Sequence, residues 1–208
     1  DGIRDLVRSR GLGDVYKRQL VPMDRRPGPG RIRESNGPCV RAILDQWAVP
    51  CEDGGFLGDR QALLEQRLAP ALARYELVVL SGGVSMGEKD LVKPALRALG
   101  VDLVFESLHL RPGHPATFGL HGGGVVFALP GNPVSVFTTL QAVFSAALRR
   151  RLGQRRPHAP RRWGILDFPF TRKGSRPMYL PVTVENSLEP GPVRLGPTGH
   201  HGSGDFLS

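Results

Sequence analysis

The run Leu77-Val78-Val79-Leu80 ends abruptly in Ser81-Gly82-Gly83-Val84-Ser85, an apolar strand-like stretch passing straight into glycine and serine. Such a loop suits anion binding. Glycines let the backbone come close and adopt positive φ, hydroxyls donate, and exposed N–H groups can hold an oxyanion. Residues 129–135, "LPGNPVS", repeat the pattern: Pro130 and Gly131 make a turn, Asn132 is suited to cap a helix, Pro133 fits its first position, and Ser135 adds a hydroxyl. Either loop alone is also what any strand-to-helix turn requires; together they point to a phosphate-sized ligand. The loop "RPGHP" adds Arg111 and His114, cationic side chains that suit an anion or merely decorate a proline-stiffened turn. Asp59 and Asp90 each stand before a helical stretch. They read as N-caps or, if their strands are neighbours, as two carboxylates at one crevice able to coordinate a hard cation. The chain has no GxSxG elbow, Walker loop or GxGxxG fingerprint, which argues against serine hydrolase, P-loop and dinucleotide chemistry.

Positioning these residues requires alternating strands and helices. "SNGPCVRAILDQWA" has Ser35 and Asn36 as capping types and Val40, Ile43, Leu44 and Trp47 at helical spacing. A strand is expected over 49–56, then a helix capped by Asp59 that Pro70 kinks or ends, then the buried strand before Ser81. Asp90 opens a further helix closed by Gly100, "VDLVFESLHL" and "GVVFAL" read as strands, and the helix after Asn132 runs to Gly153. The pattern implies an α/β fold, an open and mostly parallel sheet with helices on both faces. Its ligand crevice lies outside the carboxyl ends of the strands. After Pro157 short β-type runs follow, so the chain divides into an α/β domain over 20–155 and a small β module over 156–208.

Composition sets outer bounds. The 208 residues carry 40% hydrophobic side chains, enough for a core, and 28 Lys and Arg against 19 Asp and Glu, a net charge of +9. Seven arginines fall between Arg149 and Arg162. They read as a solvated helix end and linker, or as a patch for nucleic acid, though no basic-aromatic interleaving accompanies them. Cys39 and Cys51 match no metal spacing, which suggests free thiols and a cytoplasmic setting. No apolar run reaches the roughly 18 residues of a membrane span. Residues 1–19 show no clear helix or strand period and resemble translated sequencing-adaptor sequence, so they are set apart from the fold.

In order and spacing, "SGGVSMGEKDLVKPAL", "RPGHPATFG" and "LPGNPVSVF" resemble the molybdopterin molybdenumtransferase family, which includes the C-terminal domain of gephyrin; "GPGRIRESN" and "GFLGDRQALL" fit it too. The likeness covers residues 20–208. It implies insertion of molybdenum from molybdate into adenylylated molybdopterin with release of AMP, aided by Mg. Carried over, Asp59 and Asp90 would be catalytic and metal-handling. Ser81, Gly82, Gly83, Val84 and Ser85, with Pro130, Gly131, Asn132, Pro133 and Ser135, would hold the pterin and its phosphate. Arg111 and His114 stand where the family usually has lysines, so His114 need not carry the expected charge. The family's Thr-Gly-Asp-Glu-Leu-type motif is missing before "LVPMD", and its N-terminal domains are absent, so a fragment of a homodimeric enzyme with a partly formed C-terminal β-barrel is expected. Two other functions fit less of the chain: molybdopterin adenylyltransferase, which normally lacks the β module, and a non-catalytic anion or nucleic-acid binding module. Neither nucleic acid nor membrane is an expected partner.

Overall fold

A computed structural model describes residues 5–9, 20–21, 23–29, 31–57, 60–84, 90–172, 174–185 and 192–198. In chain order the elements are β1 (Asp5–Ser9), β2 (Leu20–Val21), β3 (Ile32–Arg33), α1 (Asn36–Gln46), β4 (Glu52–Leu57), α2 (Gln61–Arg74), β5 (Leu77–Ser81) and α3 (Val92–Ala98). Then come β6 (Asp102–Phe105), β7 (Thr117–His121), β8 (Gly124–Leu129), α4 (Pro133–Thr139), a π turn (Leu140–Phe144), α5 (Ser145–Arg151), β9 (Gly164–Leu166), β10 (Val182–Val184) and β11 (Val193–Pro197).

The main sheet has six strands in the order β4-β1-β5-β8-β7-β6. β4, β1, β5 and β8 run parallel, while β7 and β6 complete the edge antiparallel. This is the mostly parallel α/β sheet expected from the sequence. β5 and β8 explain why: every residue of β5 is buried, and its side chains alternate between two cores. On one face Val78, Leu80, Val126 and Ala128 pack with Leu64, Leu68 and Leu72 of α2 and Val92 and Leu96 of α3. On the other, Leu77, Val79, Phe127 and Leu129 pack with Val40 and Leu44 of α1, Val136 of α4, Leu140, Phe144 and Leu148. Leu80 and Leu129 are wholly buried at the strand ends that carry the two glycine loops. At about 2 kcal/mol for each buried leucine, they anchor those ends firmly.

Some expectations need correction. Asp5–Ser9, in the segment set apart on sequence, lies in the sheet as β1, paired with β4 and β5. Pro70 does not end α2, which continues to Arg74. The proline sits on the exposed side, where water can take up the carbonyl that its ring leaves without a donor. Strand β4 begins at Glu52 rather than 49, and β6 stops at Phe105, well short of the whole apolar run.

Beyond α5 the described residues form a three-stranded sheet, β10-β11-β9, with β9 parallel and β10 antiparallel to β11. The segment just before β10 pairs with the α/β layer at Arg111, whose N–H donates to Pro177 O (3.0 Å) and whose carbonyl accepts the Tyr179 N–H (2.9 Å).

Candidate functional site

The two glycine loops leave adjacent strands at the same edge. Ser81 is in register with Leu129, and the Gly82 N–H donates to Leu129 O at 2.9 Å. Gly82 and Gly83 have φ of 84° and 74°, conformations that glycine enters without strain. The opposing loop is just as close, since a Cβ on Gly131 would lie 3.6 Å from the Gly82 Cα. Asn132 caps α4 as expected, its Oδ1 accepting from the Ser135 N–H at 3.2 Å, with Pro133 next in line.

Across the crevice stands the start of α1. Ser35 makes no side-chain cap. That task falls to the buried Glu34, whose Oε1 accepts the Gly37 N–H at 2.9 Å. Asn36 instead reaches over the sheet edge, its Nδ2 donating to Ser81 Oγ at 2.7 Å and to Gly131 O at 2.9 Å. Burial, and after it the nearby Glu34 charge, push the Cys39 thiol up from its ordinary value, so it stays protonated in this setting. Glu34 and Asn36 escape a sequence reading that sees capping types only. The available signal was the crowding of three polar residues, Glu34-Ser35-Asn36, before a helix that needs one cap.

The Arg111–His114 loop joins the same edge. Gly113, buried and at φ 112°, sits so close to α4 that a Cβ would lie 2.7 Å from Thr139 Oγ1 and 3.6 Å from Ser135 O. Thr139 Oγ1 already donates to Ser135 O at 2.8 Å and is not free to move. Gly113→Ala is therefore expected to cost about 3 kcal/mol, from left-side backbone strain plus overpacking, read as a fall in Tm. His114 Nδ1 donates to Leu108 O at 2.5 Å, and the Leu108 N–H donates back to His114 O at 2.7 Å. That bond leaves Nε2 as the ring nitrogen available to a ligand.

Asp90 is a cap with a counter-ion. Its Oδ1 accepts the Lys93 N–H at 3.2 Å, and its Oδ2 lies 2.7 Å from Lys93 Nζ, both side chains being nearly buried at 9% and 12% exposure. The strands leading to Asp59 and Asp90 are not neighbours: β1 separates β4 from β5 by two strand spacings, roughly 10 Å. Asp59 and Ser85 themselves lie outside the described residues. Among the described residues no group of three or more His, Cys, Asp or Glu side chains could hold a metal ion.

Glycine loops, capped helix and basic loop at one sheet edge suit a phosphorylated ligand. Residues 13–150 match the family described as "Probable molybdopterin binding domain". The chain belongs to this family. The resemblance drawn from its motifs is thus borne out. Among curated proteins it is 32% identical over 135 residues to a molybdopterin molybdenumtransferase of a Nostoc species, covering 64% of this chain and 31% of that protein. A molybdopterin molybdenumtransferase of Haemophilus influenzae is 31% identical over 142 residues, 68% of this chain and 35% of the other. The chain thus spans about a third of the length of these relatives. In fold it is similar to a molybdopterin biosynthesis MoeA protein from Pyrococcus horikosii, with a TM-score of 0.72 at 23% identity, covering 95% of this chain and 45% of that one. The molybdopterin biosynthesis Mog protein of Mycobacterium ulcerans gives a TM-score of 0.53 at 19% identity over 74% of this chain and 99% of its own.

Proposed function

We propose that this family member is the pterin-binding part of a molybdenum-insertion enzyme, a transferase that takes adenylylated molybdopterin and molybdate and releases AMP. The observation that carries this reading is the convergence of Ser81–Val84, Gly131–Ser135 and the Arg111–His114 loop on one sheet edge. In it, the glycine loops hold the pterin and its phosphate by close backbone approach, and Arg111 contributes positive charge from the rim. The cytoplasm and a homodimeric whole protein remain part of the proposal, the first in keeping with Cys39 and Cys51 standing outside any disulfide.

Magnesium fits the described residues poorly. Both oxygens of Asp90 are engaged by Lys93, whose ammonium already occupies the place a cation would take. No step is therefore assigned to the metal, and any role for Asp59 rests on the family resemblance alone.

The adenylyltransferase reading is less favoured. The chain continues past α5 into the three-stranded sheet of β9, β10 and β11, a β module that such an enzyme normally lacks. The nucleic-acid reading loses part of its basic patch: Arg149 lies over the Trp47 ring at 4.8 Å, and Arg151 pairs with Glu76 at 2.7 Å. The test is molybdate-dependent release of AMP from adenylylated molybdopterin, followed by chromatography, with the chain alone and with the N-terminal half of a relative added. AMP released in step with molybdate is expected in at least the second mixture. Adenylate left intact in both would overturn the enzymatic reading.

A further inference from the structure

Asn36 is the first residue of α1, yet its side chain serves two loops that lie 45 and 95 residues away in sequence. The Gly131 carbonyl can only accept, so the amide must face it with Nδ2, and the second Nδ2 hydrogen goes to Ser81 Oγ. Each bond has a directional consequence. Because Ser81 Oγ accepts from Asn36, its own proton is directed to some other partner. Because the Gly131 carbonyl points to Asn36, the N–H of the same planar trans peptide, that of Asn132, points away from α1. One amide thereby fixes the first loop through Ser81 and turns a backbone donor of the second loop outward. Meanwhile Asn36 Oδ1 is buried without a hydrogen-bond partner, an unfavourable arrangement that marks the side chain as placed for its donors.

We propose that Asn36 is a positioning residue that orients both loops toward an oxyanion, the phosphate of the pterin ligand, an inference that rests on the functional reading above. Asn36→Asp is the decisive variant. It keeps the shape, a carboxylate is tolerated at a helix N-terminus, and it cannot donate to either partner. Two readouts are taken on the full chain: hydrogen exchange at the Gly82 amide, and calorimetric titration with molybdopterin. Expected are a Tm within about 3 °C of the parent, Gly82 exchange at least about tenfold faster, and affinity at least about tenfold weaker, the loss of two modest hydrogen bonds. Should the carboxylate prevent folding, Asn36→Ala carries the same expectation without the charge. Unchanged exchange together with unchanged affinity would overturn the proposal. If the parent chain binds no molybdopterin, the functional reading falls, while the exchange rates still decide whether Asn36 holds the loops.

Discussion

Gly82→Val is expected to weaken molybdopterin binding by at least about a hundredfold while the chain stays folded. Gly82 holds a φ of 84° that a β-branched residue enters only with strain. It is buried, its N–H is bonded to Leu129 O, and the Gly131 backbone lies against it. A valine must therefore change φ, breaking the bond that sets the loop, or push Gly131 away. The strain costs about 2–3 kcal/mol, less than the roughly 5–15 kcal/mol by which an ordinary domain is stable. Loss of binding can then be assigned to the site itself. Gly100 is the control: it also has positive φ, at 77°, but open space around it. Gly100→Ala should lower Tm slightly and leave affinity alone. Undiminished affinity in Gly82→Val, measured by calorimetry on folded protein, would place the ligand elsewhere.

The second large effect is expected at Asp90. Asparagine can still accept the Lys93 N–H, so the start of α3 keeps its cap. What Asp90→Asn removes is the counter-charge of an ammonium only 12% exposed. Leaving such a charge unpaired is costly, and with the residual exposure a loss of about 2–3 kcal/mol is expected in urea unfolding. Adding Lys93→Met to Asp90→Asn should restore most of that stability, because the stranded charge is gone. If Asp90 also acts on the adenylate, AMP release must stay low in the stable double variant. Full release from that variant would reduce Asp90 to a cap and ion pair.

What the sequence made legible was local. The continuous apolar run of β5, the glycine pair behind it and the Asn132-Pro133 cap each declare themselves within a few residues, and they give the α/β class and the crevice edge. The relations that were not legible depend on partners far along the chain. Asn36 has the composition of a cap, and nothing near it announces Ser81 or Gly131. Whether Asp59 and Asp90 share a crevice depends on strand order, and the strand between β4 and β5 comes from residues 5–9, where periodicity is weak. Pro70 stays helical because its environment is exposed, and the π turn at Leu140–Phe144 lies in a stretch that reads as uninterrupted helix. The docking of Gly113 on Thr139 likewise joins two motifs that the sequence shows only side by side.

The most direct test of the pterin-phosphate site is a calorimetric titration of the full chain with molybdopterin, with AMP and a random DNA duplex as parallel ligands. Saturable one-site binding of molybdopterin, lost in Gly82→Val and retained in Gly100→Ala, is the expected result. A folded chain that takes up no molybdopterin, or binds it equally well with valine at position 82, would contradict the assignment of this sheet edge as the ligand site.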